Sequence, residues 1–464
     1  MIIDPEQSRS GDGAIMAPGT DSTHFFSAPF ATPEIPGVGG VIKQRNEDFL
    51  VEEVAQYPPC GEGEHVYLFV EKNGLSTSEM VEIIARHFGV DDYAVGYAGM
   101  KDKYALTRQV VSVHVPGKRP EDFSSLRHDQ VGILWTDLHT NKLRLGHLRG
   151  NRFSIRIREV DPLRVVDVHR CIGLLAKRGV PNLFGAQRFG YRLNNHVLGR
   201  YLLTRDFERL LDGYLGAERA GLEHPRRDGN EEAGEARRLY DAGDLKGAAD
   251  AMPRHMRNER DALRALSKGA SPEEAVRSIH PVQIRFWISA FQSAIFNQLV
   301  SERISDGLLG TLVPGDIAIK MTNGAMFDVD EETLADPVTQ ERLERFEIAP
   351  TGALWGPRTK AARGEIGARE RQVLARAGTN VAAIEGTADE FGVSVLGTRR
   401  AVRVPLIDPE VEGGVDEHGS YIRIAFELPS GCFATSVMRE IMKNAASAGH
   451  QAGARRDGDV DVEA

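Results

Sequence analysis

From Val41 onward, apolar and polar positions follow two alternating periods. The runs His65 to Val70 (HVYLFV), Val110 to Val115 (VVSVHV) and Phe153 to Ile157 (FSIRI) have strand composition, and the last alternates apolar with polar side chains, as a strand with one buried face requires. Between them the spacing becomes helical. Met80, Ile83, Ile84 and Phe88 form one stripe, preceded by the capping sequence Ser76-Thr77-Ser78-Glu79 and stopped by Gly89. Val168, Cys171, Ile172 and Leu175 form a second within a helix expected from Val165 to Arg178 and ended by Gly179. Strands flanked by helices predict an α/β or α+β domain built on one mixed sheet.

Thr204 to His280 reads differently: Ala, Arg, Glu and Leu dominate and single glycines punctuate short helical periods, the pattern of a helical insertion. Phe286 to Glu302 (FWISAFQSAIFNQLVSE) is apolar almost all round and predicts a buried helix. Tyr421 to Leu428 (YIRIAFEL) returns to strand composition. A strand so late could complete the first sheet, which would make the middle of the chain an inserted domain. Residues 1 to about 35, and the end from Ser447, are rich in small and polar residues without a period, and predict disorder. Gly37-Val38-Gly39-Gly40 precedes a strand and lacks a Lys-Ser/Thr ending, so it reads as a turn and not as a phosphate loop.

The 464 residues allow about two or three domains. No apolar run approaches the roughly 20 residues of a membrane span, and the first residues lack the basic start and apolar stretch of a secretory signal, so a cytoplasmic protein is expected. Cys60, Cys171 and Cys432 are too few and too scattered for a disulfide framework or zinc spacing, which predicts no structural metal. The net charge of −10 argues against a polyanionic partner. Its distribution argues the other way. Lys142 to Arg158 (KLRLGHLRGNRFSIRIR) carries six Lys or Arg and no acid, which is either a solvated face or a binding strip.

Five segments combine polar chemistry with turns. In Gly96 to Gln109 (GYAGMKDKYALTRQ), Asp102 lies between Lys101 and Lys103. Positive neighbours favour the ionised carboxylate that nucleophilic or electrostatic catalysis at a sugar carbon needs, although a surface Lys-Asp-Lys turn has the same spacing. In Ile42 to Val54 (IKQRNEDFLVEEV), Lys43 and Arg45 precede Glu47 and Asp48. Asn151, Arg152 and Phe153 open a strand inside the basic run, where a ring and a guanidinium can stack an extruded base. Pro181 to Gly190 (PNLFGAQRFG) is a rigid turn presenting Asn182, Gln187 and Arg188. Leu428 to Glu440 (LPSGCFATSVMRE) reads as strand, Gly turn and helix start, with Thr435 or Ser436 as caps. Taken singly, each is equally compatible with a structural role.

Jointly and in this order, the five resemble the TruD family of pseudouridine synthases. The resemblance covers roughly Val41 to Gly199 and Pro281 to Lys443, through KxxxEDFxVEE, GEGEH, KNGxxT, AGxKDKxAxTxQ, LRLGxLxGNxF, VPNxFGAQRFG, SAxxSAxFN and LPxGxFATSVxRE. It implies that Asp102 is the catalytic aspartate and Lys43 its basic partner. It also implies that Phe153 stacks on the target base and that Asn151 belongs to the same wall; Arg152, Gln187 and Arg188, from the polar segments themselves, are expected as further substrate contacts. The implied architecture is V-shaped: a catalytic domain of residues 36–179 plus 404–446, interrupted by a TruD-specific insertion domain of residues 180–403 that carries the extra helices of 204–280. Residues 1–35 and 447–464 would be disordered ends. Three departures stand out: Leu183 replaces the usual aromatic of PNYFG, Tyr104 replaces the His two residues after the aspartate, and the helical insertion is longer than in compact bacterial members. They bear on the cleft and its RNA preference.

The resemblance implies conversion of uridine to pseudouridine in tRNA, at uridine 13 of the D arm; the reaction itself needs no cofactor, no metal is expected, and a monomer is the simplest expectation. Asp102 would attack the sugar or the base, or remove a sugar proton, after the nucleotide is flipped out. Two other classes fit parts of the pattern. A non-catalytic RNA-binding or RNA-chaperone protein would keep the basic run, and a glycosidase would need a second carboxylate, such as Glu47, Asp48 or Glu79, about 5 to 9 Å from the first.

Overall fold

The structure, a computed structural model, describes residues 28–217 and 231–444. Its described residues divide into two compact units, Phe30–Asn182 with Arg403–Asn444, and Leu183–Val402.

The first unit is built on an eight-stranded sheet of β1 (Phe49–Ala55), β2 (His65–Asn73), β3 (Val95–Tyr97), β4 (Leu106–His114), β5 (Val131–His139), β6 (Leu148–Arg158), β7 (Ile407–Asp416) and β8 (Gly419–Pro429). The strands run in the order β7-β8-β6-β1-β4-β2-β5, with β3 paired to β4. Only β1 and β4 are parallel, so the sheet is mixed. The late strand does join the early ones: β8 pairs along the length of β6.

Register decides what the sheet displays. Val51 and Glu53 of β1 lie opposite Phe153 and Asn151 of β6, which lie opposite Phe426 and Leu428 of β8. Because successive side chains point to opposite faces, Phe49, Val51, Glu53, Asn151 and Phe153 share one face. Glu52 and Arg152 share the other.

Helix α1 (Thr77–Phe88) starts where the capping box closes: the Ser76 hydroxyl accepts from the Glu79 amide and the Glu79 carboxylate reaches back to Ser76. It ends at Gly89, whose φ of 67° is the left-handed cap glycine favours. Its buried residues Met80, Val81, Ile84, Ala85 and Phe88 pack on Val66, Leu68 and Val70 of β2 and Val111 and Val113 of β4. Helix α2 (Val165–Arg178) buries Val168, Cys171, Ile172 and Leu175. Helix α3 (Ala434–Met442) follows β8, but its cap position is Phe433 and no side chain caps it. Thr435 and Ser436, expected as caps, lie inside the helix.

The expected disordered start extends too far into the chain. Within 28–35, Thr32 is wholly buried and donates from its amide and hydroxyl to Glu440 of α3 at 3.1 and 2.9 Å, and Ile35 is buried beside it in the chain. Residues 1–27 and 445–464, and with them the expected tail, lie outside the described residues.

In the second unit the strands Thr398–Ala401, Ile348–Leu354, Ile317–Lys320 and Met326–Asp328 form a sheet in that order. The long helix Pro281–Ser305 is buried along most of its length. Between Thr204 and His280 the described residues form the helices Phe207–Leu215, Glu231–Asp241, Leu245–Ala251, Arg257–Ser267 and Pro272–Arg277. They bury Leu210, Ala236, Ala248, Leu263 and Val276 in a core with Trp287 and Ile288 of the long helix. Asn297 of that helix clasps the Pro181 to Gly190 turn, its amide accepting from the Phe184 N–H at 2.8 Å and donating to the Phe184 carbonyl at 2.9 Å. Among the described residues, no helix is long and apolar enough to cross a membrane.

The first unit also contains a buried charge node. Arg158, 2% exposed, binds Asp48 before β1 and Asp416 at the end of β7, each at 2.6 Å. Its hydrogen bonds hold the Asp416 carboxyl down to about 2. An acid whose folded value lies below its unfolded value of about 3.9 adds stability that is complete above that value and lost as the pH falls toward 2. The urea midpoints of the native protein and of Asp416→Asn should therefore differ at pH 6 and close up toward pH 2; a gap that stays constant contradicts this role.

Candidate active site

The site is built where the loop after β3 crosses the face carrying Glu53, Asn151 and Phe153. Hydrogen bonds from several elements hold that loop. The Ala98 carbonyl accepts from the Gly146 amide at 2.8 Å, and the Gly99 carbonyl from the Gln109 side chain at 3.3 Å. The Lys101 amide donates to the Thr77 hydroxyl at the start of α1, at 3.0 Å. Beneath lies Lys72 of β2, wholly buried, whose ammonium donates to the carbonyls of Leu75, Lys101 and Asp102. A buried ammonium is tolerated only with such partners, so Lys72 ties β2, the start of α1 and the Asp102 backbone together.

The other three lysines of the region have separate tasks. Lys101 reaches inward to Glu53 at 3.0 Å and to the Asn151 amide oxygen at 2.8 Å. Lys103 reaches Glu79, at 3.0 Å. The ammonium on Asp102 is that of Lys43, 2.6 Å from Oδ2, with Lys43 side chain 9% and Asp102 side chain 30% exposed. Lys43 has a φ of 59°, a left-handed conformation that a lysine adopts only when its surroundings impose it. Its ammonium also lies 4.2 Å from the centre of the Phe49 ring, a cation–π contact. Asp102 therefore presents a partly exposed carboxylate paired with the Lys43 ammonium. Desolvation pushes the buried Glu53 carboxyl up, and Lys101 pulls it back.

The structure brings Asp102, Lys43, Asn151 and Phe153 to one region of one sheet face. Phe153 is a core ring as well, 7% exposed and set 6.4 Å from Phe49 and 5.5 Å from Phe426, centre to centre. Arg152 is not brought there: it lies on the opposite face and pairs with Glu410 at 2.6 Å. Gln187 and Arg188 belong to the second unit, on the turn Ala186–Phe189, where Gln187 is exposed and the Arg188 guanidinium lies 5.2 Å from the Phe184 ring. Leu183, three residues before that turn, is buried.

The basic run is largely consumed by its neighbours. Arg149 pairs with Glu427, Arg156 approaches Asp48, Arg158 is the buried node, and Lys142 donates to the Tyr93 carbonyl. Arg144 is exposed and has no ion pair among the described residues. The acids considered for a glycosidase are likewise engaged: Asp48 by Arg158, Glu79 in the α1 cap and with Lys103, Glu47 with Arg45 and Asn73. Among the described residues, no group of His, Cys, Asp or Glu is placed to hold a metal ion.

Glu53, Lys72 and Thr77 did not stand out as site residues in the sequence. The signal for two of them was present, since Glu53 and Lys72 occupy the inward register of Phe49-Val51-Glu53 and Val66-Leu68-Val70-Lys72, where an unpaired charge would not be tolerated.

A family model described as tRNA pseudouridine synthase D (TruD) matches residues 28–441. The chain is 40% identical to tRNA pseudouridine synthase D of Syntrophotalea carbinolica over 90% of this chain and 99% of that one. It is 40% identical to the Geobacter sulfurreducens protein of the same name, over 89% and 96%. A crystal structure of a Methanosarcina mazei protein described as tRNA pseudouridine synthase D superposes with a TM-score of 0.77 at 26% identity, covering 92% of this chain and 99% of that one.

Removing the Lys72 ammonium should free the loop. Lys72→Met leaves up to three carbonyls without their donor, at about 1 to 3 kcal/mol for each one left buried. The expected result is faster amide hydrogen exchange over residues 99–104 than in the native protein; unchanged exchange there would show that Lys72 does not hold the loop.

Proposed function

The chain belongs to the TruD family of tRNA pseudouridine synthases, and on that premise we propose that it converts uridine 13 in the D arm of tRNA to pseudouridine at the face bearing Asp102. The observation that carries this reading is the Lys43–Asp102 contact at 2.6 Å on a partly exposed carboxylate.

The reaction breaks a uridine's N-glycosidic bond, retains and turns the uracil, and joins its C5 to the sugar. Each route open to Asp102 starts from the ionised carboxylate: attack on the sugar, attack on the base, or removal of a sugar proton. Lys43, 2.6 Å from Oδ2, stabilises that charge. Flipping the nucleotide costs a few kcal/mol of unstacking, and contact with the edge of Phe153 offsets part of it. Asn151 supplies an amide on the same wall. No residue of this set calls for a cofactor.

Incubating unmodified tRNA transcripts with the protein and mapping pseudouridine by carbodiimide-dependent primer-extension stops tests the proposal. The native protein should produce a stop at position 13, and Asp102→Asn, while still binding tRNA, should produce none over the time in which the native reaction goes to completion. Binding by both without modification would instead favour an RNA-binding protein on an enzyme's scaffold, and a stop elsewhere would move the target.

A further inference from the structure

Beneath the proposed nucleophile, a second and more deeply buried ion pair faces the same wall. Glu53 and Lys101 meet at 3.0 Å with side chains 1% and 5% exposed, and Lys101 also donates to Asn151 Oδ1 at 2.8 Å. An ammonium has donors and no acceptor, so the amide atom of Asn151 facing Lys101 has to be the oxygen. The NH2 group is thereby turned the other way. Asn151 is partly exposed, and its amide nitrogen has no partner among the described residues.

We infer that Glu53 and Lys101 are positioning residues that lock the Asn151 amide with its NH2 toward the bound base, where it donates to a carbonyl oxygen of the uracil. The inference rests on the reading that uridine is held against this wall. An asparagine amide is nearly symmetric in shape, so packing alone discriminates poorly between its two orientations. A flipped amide would set oxygen against the base carbonyl. A buried cation on one side removes that ambiguity, and Glu53 keeps the cation in place by neutralising it. The arrangement also explains why a sheet face that is otherwise apolar at Phe49, Val51 and Phe153 carries an acid at Glu53.

The test replaces the target uridine of a tRNA transcript by 2-thiouridine or 4-thiouridine, since sulfur accepts hydrogen bonds weakly. Single-turnover rates are compared with the unsubstituted transcript for the native protein, Lys101→Met and Asn151→Asp. One of the two sulfur substitutions should slow the native protein roughly tenfold, the value of about one hydrogen bond, and this penalty should shrink to within about twofold in both variants. Lys101→Met leaves Glu53 unpaired, so the double variant Glu53→Met with Lys101→Met serves as a second probe that removes both charges together; it too should lose the penalty. Each penalty is a ratio within one protein, so a smaller folded fraction cancels. A full penalty retained in these variants, or none with either sulfur in the native protein, overturns the inference. Turnover of the unsubstituted transcript by the native protein reports separately on the synthase reading.

Discussion

The site depends on the register of β6 between β1 and β8. Side chains alternate along a strand, so a slip of one residue would exchange Asn151 and Phe153 for Arg152 and Ser154 on the working face. That register is fixed from both sides: Val51 and Phe426 flank Phe153 across the pairs, and the three rings of Phe49, Phe153 and Phe426 bury together. It is fixed at the end of the strand as well, where Arg158 binds acids from the segment before β1 and from β7. Because β7 and β8 come from the far end of the chain, residues beyond 400 set the position of a wall formed by residues near 150.

On this frame the charges are placed by burial rather than by sequence neighbourhood. Asp102 sits between two lysines in the chain, yet the ammonium on it comes from Lys43, while Lys101 turns inward to Glu53 and Lys103 turns to Glu79. The same holds for the basic run, where Arg149, Arg152, Arg156 and Arg158 all face carboxylates. Their positive charge is balanced within the sheet, which accords with a chain whose net charge is −10. Of the run, Arg144 is exposed and has no ion pair among the described residues.

Local signals were the readable part of the sequence. The α1 cap, its apolar stripe and the Gly89 stop follow from short-range chemistry, and the structure reproduces them, as it does the inward stripe of α2. The strand patterns also located most of the sheet's core. Two local readings went astray because tertiary contacts prevailed: residues 28–35 look featureless but find Glu440, and α3 starts at Ala434 because the chain leaving β8 enters the helix one residue before Thr435. The pairing of Lys43 with Asp102 spans fifty-nine positions and no periodicity encodes it; the family resemblance pointed to it. Arg152 shows the converse limit, since strand alternation alone would have put it on the face opposite Asn151 and Phe153.

The central claim is that Lys43 and Asp102 act as one chemical unit. A double-mutant cycle on single-turnover pseudouridine formation tests it most directly, with Lys43→Met, Asp102→Asn and the double variant measured against the native protein. Residues that act as a unit are strongly non-additive. The account predicts that the double variant is no slower than Asp102→Asn alone, because Lys43 has nothing to stabilise once the carboxylate is gone. Rate losses that multiply in the double variant would contradict it, and would show that Lys43 serves the reaction independently of Asp102.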